Sequence, residues 1–217
     1  MSAPERGTAV DHLEVWLDFV CPWCYIAESA LLSVLTERRR RGLCVPRLRF
    51  RSYILEPRAA VDPRPALERY LALGVPREKA ERALTRIVDA GLAEGIHFDF
   101  ERGVSGPTLA GHRLLHAIQA RGLDATPFVL AVFRGYFEAG KAVSDPAELL
   151  AAAAGMLDPV TARAALDDPG YDAAIAADQA EADASGLRWI PYLRFADGRH
   201  LEGRLGRDEL RQELEKE

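Results

Sequence analysis

The chain has 217 residues, 48% of them apolar, with 28 basic against 33 acidic residues and a formal net charge of -5. That length supports a sizeable core, in one large domain or one domain with an insertion, and the acidic balance gives no electrostatic reason to expect nucleic acid or an anionic membrane as partner. No run approaches the roughly eighteen apolar residues of a membrane span, and Met1 to Val10 lacks the apolar core of a secretory signal, so a cytoplasmic protein is expected. Its three cysteines are then expected as reduced thiols and not as a disulfide scaffold.

Met1 to Asp11 is polar, carries Pro4 and Gly7, and reads as a flexible tail. Leu13, Val15, Leu17 and Phe19 then alternate with Glu14, Trp16 and Asp18, the period of a strand. At Cys21-Pro22-Trp23-Cys24 the period changes. Trp23, Ala27, Ala30, Leu31, Val34 and Leu35 recur at helical steps, predicting an amphipathic helix from about Pro22 to Arg41. Pro22 falls at the first helical position, where its missing N–H costs nothing. Cys21 is left at the helix N-terminus, where unpaired N–H groups and the macrodipole favour negative charge. Such surroundings lower a thiol pKa from about 8.5 into the range of roughly 3.5–7.5, which makes Cys21 the candidate nucleophile. Cys24, inside the first turn, is placed to attack a mixed disulfide formed on Cys21. Two other readings stand beside this one: an inert buried pair, against which Pro22 argues, and half of a zinc site completed by His112 and His116 from one helix face.

Arg38 to Arg41 precede Gly42 as cations at a helix end. Val45 to Leu55 predicts a second strand, parallel to the first and completing a β-α-β unit; Cys44 ahead of it reads as a packed or half-exposed thiol. From Pro57 the pattern is helical for more than a hundred residues. Pro76 opens a helix with Ala80, Ala83, Leu84, Ile87, Val88 and Leu92 as its apolar stripe. A turn cluster from Gly103 to Pro107 leads to a helix over Thr108–Arg121, on whose apolar side His112 is either a core histidine or a substrate contact. Pro127 to Ala139 carries a broad face of Val129, Leu130, Val132, Phe133, Tyr136 and Phe137, read as helix packing or as an apolar groove. Asp145-Pro146 and Asp158-Pro159 cap two further helices. Tyr171 to Ser185 reads as a helix with solvated carboxylates and a narrow apolar side at Ile175 and Ala182. Trp189 to Phe195 is a strand, Asp197-Gly198 a hairpin turn, Arg199 to Glu202 the return strand, and Asp208 to Glu215 a final helix. The expected fold is α/β: a thioredoxin-like domain in two parts, residues 12–58 and 169–217, around an all-helical insertion at 59–168.

The run Asp18-Phe19-Val20-Cys21-Pro22-Trp23-Cys24-Tyr25 resembles the active-site motif of the DsbA family of thioredoxin-like oxidoreductases, in its FrnE-like cytoplasmic branch. Similarity extends through Gly111-His112-Arg113-Leu114, the segment Phe133 to Lys141, the helix from Asp172 to Gly186 and the proline-led strand at Pro191. The resemblance implies a cis bond between Ile190 and Pro191, with Pro191 beside the Cys21 sulfur. It also marks departures: Trp189-Ile190-Pro191-Tyr192-Leu193 is bulkier than the usual Gly-Val-Pro segment, and Glu202-Gly203-Arg204-Leu205 replaces a common Gly-Ala-Gln-Pro.

The function expected is thiol–disulfide exchange, with Cys21, Cys24 and Pro191 catalytic and Pro22, Trp23, Ile190 and His112 touching substrate. Neither a metal nor a bound organic cofactor is required; glutathione is a candidate redox partner, and partners are proteins or small molecules carrying thiols or disulfides. A homodimer is left open. Two alternatives remain: a glutathione-dependent isomerase or kappa-type transferase related to 2-hydroxychromene-2-carboxylate isomerase, and a non-enzymatic binding protein or chaperone using the Val129–Phe137 face.

Overall fold

The computed structural model describes residues 12–216, so the expected N-terminal tail lies outside the described residues. Strand β1 (His12–Leu17) runs into helix α1 (Pro22–Arg40), and β2 (Arg47–Ser52) returns parallel to β1 with Val15 opposite Phe50. This is the β-α-β unit that the change of period predicts. Late in the chain β3 (Tyr192–Arg194) pairs antiparallel with β1, placing Leu193 opposite Val15, and β4 (His200–Glu202) closes a hairpin on β3. The sheet order is β2-β1-β3-β4. The hairpin turns at Gly198, whose φ of 87° is the left-handed backbone that glycine adopts freely. β3 is shorter than expected: Trp189, Ile190 and Pro191 stand outside it, and a proline has no N–H to give to a ladder.

Between β2 and β3 the chain is helical: α2 (Ala66–Ala72), α3 (Arg77–Ala93), α4 (Leu109–Gln119), α5 (Thr126–Phe137), α6 (Pro146–Ala153), α7 (Pro159–Asp167) and α8 (Asp172–Ala184). The Asp145 and Asp158 side chains accept the first backbone N–H groups of α6 and α7, the capping that Asp-Pro predicts. Helix α9 (Arg207–Leu214) packs on α1 through the fully buried Leu210 and Leu214. Arg38, within the arginine run, ties α1 to both neighbours by donating to the carbonyls of Cys44 (3.1 Å) and Leu214 (2.7 Å).

One contiguous core joins β1 and α1 to the helical segment. Phe128, Val129, Val132, Phe133, Tyr136 and Phe137 of α5 are buried in it, Phe133 against Tyr25 with ring centroids 5.2 Å apart. Most of the α5 face is therefore occupied by the protein's own residues, and its end at Tyr136 and Phe137 borders open space. The stripe on α3 is narrower than expected: Ala80, Ile87 and Gly91 are buried, whereas Leu92 is exposed.

One further expectation is corrected at the sheet. Trp16, on the face of β1 opposite Val15, is fully buried because α8 covers that side; its Nε1 donates to the Asp178 carbonyl at 2.9 Å. The guanidinium groups of Arg194 and Arg51 lie 4.8 and 5.5 Å from its ring centroid. These cations explain why the α8 carboxylates are not simply solvated. Asp178 is buried, accepting from Arg51 (2.6 Å) and the Ser52 N–H (2.9 Å), while Arg194 pairs with Glu181 and Glu14. An arginine half inside the fold draws acidic partners in with it.

Candidate active site

The chain leaves β1 through Asp18 and Phe19, both fully buried. The Cys21 N–H donates to the Asp18 carbonyl at 3.0 Å, turning the chain so that Cys21 caps α1 in extended conformation (φ -90°, ψ 109°) with Pro22 at the first helical position. The Cys24 N–H donates to the Cys21 sulfur at 3.4 Å, so the thiol occupies the place that a serine or aspartate oxygen takes in an ordinary N-cap. On its other side the sulfur lies 3.8 Å from the Ile190 carbonyl oxygen. The bond from Ile190 to Pro191 is cis, and the Gly203 N–H donates to the Pro191 carbonyl at 2.8 Å, fastening this segment to the end of the β4 hairpin. The fold thus brings together Cys21, Pro22, Trp23, Ile190 and Pro191, although about 170 positions separate the two halves.

Both thiols are free and buried, Cys24 more deeply than Cys21. Burial pushes the Cys24 thiol well above its ordinary value of 9.0, and the neighbouring Cys21 adds to this through hydrogen bonding and charge; a hydrogen bond from the Asp18 backbone opposes it only in part. Cys24 therefore rests as a protonated thiol beneath Cys21. Cys44 is exposed, not packed, at the opposite end of α1, where its carbonyl receives Arg38.

Cys21 opens onto a cavity of about 1010 Å³. Pro22, Trp23, Trp189 and Ile190 form one wall; Tyr53, Arg69, Tyr70, Phe100 and Tyr136 form the other. Burial, and after it the charge of Cys21, raise the Tyr70 hydroxyl above its ordinary value. Leu55, Val61, Leu73 and Trp189, half of the large apolar residues exposed among those described, all belong to this cavity. The wall formed by α2 and the loop before it was not foreseen; a seven-residue helix with a single buried residue carries no stripe to announce it.

His112 is corrected as a substrate contact. It is fully buried, its Nε2 lies 3.3 Å from Asp18 Oδ1, and its ring packs on Phe19 at 4.9 Å. The cavity is reached by Asp18 and not by the imidazole. Asp18 Oδ2 accepts the Leu55 N–H at 2.8 Å, so this carboxylate joins the motif, α4 and the loop after β2. Gly111 precedes His112 for a steric reason: a Cβ there would stand 3.1 Å from the Phe19 ring. His116 turns elsewhere, its Nε2 lying 3.0 Å from Ser52 Oγ and 3.2 Å from Asp178. The two histidines serve two carboxylates and do not converge on the cysteine pair, so the zinc alternative finds no ligand set.

The arrangement has known counterparts. The profile of the DSBA-like thioredoxin domain matches residues 12–215. A probable DsbA oxidoreductase from Streptomyces coelicolor is similar in structure, with TM-score 0.81 and 29% identity over 95% of this chain and 89% of its own. The cytosolic disulfide reductase DsbM from Pseudomonas aeruginosa, solved with GSH, shares the fold at TM-score 0.64 and 19% identity, covering 94% of this chain and 98% of its own. A 2-hydroxychromene-2-carboxylate isomerase also shares it, at TM-score 0.60 and 17% identity over 94% and 93% of the two chains. Comparison with curated protein sequences yields no match. With the profile spanning nearly every described residue and the cysteine pair at the expected helix start, the chain belongs to the family of DSBA-like thioredoxin domains.

Proposed function

We propose that the protein is a thiol–disulfide oxidoreductase working through a Cys21–Cys24 couple. The observation that carries this reading is the Cys21 sulfur itself: it caps α1, stands 3.8 Å from the carbonyl before the cis proline, and opens onto the cavity with a second thiol beneath it. In the reductive direction the Cys21 thiolate attacks one sulfur of a substrate disulfide, forming a mixed disulfide and releasing the other sulfur as a thiolate. Cys24 then gives up its proton and attacks the Cys21 sulfur. The second substrate thiolate leaves, and the two electrons gained by the substrate are matched by formation of the Cys21–Cys24 disulfide. A dithiol or two glutathione molecules reduce that disulfide and complete the cycle; run backwards, the same steps oxidise a dithiol substrate.

The difference between the two cysteines supports the assignment of roles. A thiol held protonated by burial does not compete as the first nucleophile, and it becomes reactive once Cys21 has been converted to a neutral mixed disulfide. Pro22, Trp23, Ile190 and Pro191 present the substrate backbone or body to Cys21. Among the described residues no helix is long and apolar enough to cross a membrane, and we place the activity in the cytoplasm with glutathione as redox partner. The isomerase reading gains no specific support, because a likeness at 17% identity is one of fold.

The test is dithiothreitol-coupled reduction of insulin. Wild-type protein is expected to accelerate insulin precipitation and Cys21→Ser to abolish the acceleration; full activity in Cys21→Ser would refute the reading.

A further inference from the structure

An unspent cation stacks on the wall residue Trp23. Arg204 follows Gly203, whose N–H bonds the Pro191 carbonyl, so its backbone is fixed beside the cis-proline segment. Its guanidinium lies 4.9 Å from the centroid of Trp23, between the two cysteines of the motif. The other arginines of this region are committed. Arg188 is paired with Glu202, Arg64 is paired with Asp62, and Arg69 donates to the carbonyls of Arg64 and Gly103 and to the Tyr136 hydroxyl. Among the described residues Arg204 pairs with no carboxylate, and it is exposed. Stacking on an indole restrains a guanidinium while leaving its five in-plane N–H donors available.

We propose that Arg204 is a specificity-determining residue that selects substrates with a carboxylate or other anionic group next to the reacting sulfur. This rests on the oxidoreductase reading above and deepens it, from disulfides in general to anionic ones. The apolar cavity wall accepts the body of the substrate, while the rim cation fixes the end that carries the charge. Planar guanidinium and planar carboxylate match in two hydrogen bonds, which makes the contact directional as well as electrostatic. Because the site is open to water, the interaction weakens with salt.

The test uses two chromogenic aromatic disulfides that differ in charge, 5,5′-dithiobis(2-nitrobenzoate), which is dianionic, and 4,4′-dithiodipyridine, which is neutral. Second-order rate constants are measured by stopped flow on reduced protein in a Cys44→Ser background. Both reagents can stack on Trp23, so their ratio isolates charge. Arg204→Gln is expected to slow the dianionic reagent about three- to fivefold at low ionic strength, the upper range of a single exposed charge contact. The neutral reagent should change by less than about twofold, and Arg204→Lys should recover part of the preference. Salt should narrow the gap in the wild type and leave the Gln variant nearly unaffected. Equal slowing of both reagents would mean that Arg204 acts on Cys21 reactivity or on local structure, and no change with either would remove it from recognition; each result overturns the proposal alone. Failure of wild-type Cys21 to react with either reagent would overturn the oxidoreductase reading with it.

Discussion

Glu28 offers the sharpest test of the energetics around α1. It lies one turn beyond Cys24, is fully buried, and neither carboxyl oxygen has a hydrogen-bond partner. Burial pushes its carboxyl from 4.5 up to about 8, with the charge of Asp124 ahead of α5 adding to the effect. The native state therefore keeps Glu28 protonated at neutral pH, whereas the unfolded chain ionises it above about 4.5. Between those values the unfolded state binds fewer protons, so stability falls as pH rises, by about 1.4 kcal/mol per pH unit. The loss is on the order of 3 kcal/mol by pH 7 and nearly 5 kcal/mol by pH 8, a large share of the roughly 5–15 kcal/mol that a domain possesses. Glu28→Gln removes the titration while keeping the shape. Urea unfolding of both proteins at pH 5, 7 and 8.5 cancels all other titrating groups in the difference. The variant should gain on the wild type by about 3–5 kcal/mol across that range, with m unchanged. A difference that stays flat with pH would refute the assignment of Glu28 as a buried neutral acid.

Other positions test the remaining steps. Cys24→Ser should trap a mixed disulfide on Cys21, seen by mass spectrometry as a substrate adduct that dithiothreitol removes; rapid release of the adduct would deny Cys24 its resolving role. Burial pushes the Glu14 carboxyl up, but hydrogen bonds from Arg194 and Arg51 outweigh it and hold it below 4.5. Its stabilising contribution is therefore present above about pH 4.5 and lost on acidification. Glu14→Gln should cost about 1–3 kcal/mol at pH 7, with the difference from the wild type shrinking as pH falls below about 4.5 in urea titrations. In Gly91→Ala the new Cβ would overlap the Phe98 ring, which stacks on Phe100 and meets Phe137 edge-on. Overpacking of about 1–3 kcal/mol should exceed the helix-propensity gain of up to about 1 kcal/mol, lowering Tm by a few degrees; a rise in Tm would show that Phe98 moves freely.

What the sequence made legible is what neighbouring residues determine among themselves. Cys21 caps α1 because Pro22 and the switch from period two to helical period lie within a few positions of it. Asp145 and Asp158 are readable as caps for the same reason, since each side chain bonds an N–H only two residues on. The errors have a common physical origin in contacts made across the chain. Period two puts Trp16 on the same face as Glu14, and nothing near Trp16 tells that α8, 162 positions later, will cover it. The carboxylates of α8 look solvated until Arg51 and Arg194 arrive from two strands. His112 was legible as a core histidine, but Asp18, its partner 94 positions away, was not.

The candidate site divides along the same line, and the division says where its two properties come from. Reactivity is local: a thiol capping a helix, next to a proline that fixes the first turn, with a buried thiol three residues on. Selectivity is assembled from distant pieces, namely the loop before α2 and α2 itself, the Trp189-Ile190-Pro191 segment, and Arg204 after the hairpin. The contacts that join these pieces to the motif come from different parts of the chain: the Leu55 N–H bonds Asp18, the Ile190 carbonyl meets the Cys21 sulfur and Arg204 stacks on Trp23, while the Gly203 N–H on Pro191 ties the hairpin end to the cis-proline segment. A change in the α2 wall or at Arg204 should therefore redirect which disulfide is accepted while leaving the reactivity of Cys21 intact, whereas a change at Ile190-Pro191, whose carbonyl meets the Cys21 sulfur, or at Asp18, whose carbonyl and carboxylate hold Cys21 and the Leu55 loop together, should disturb both.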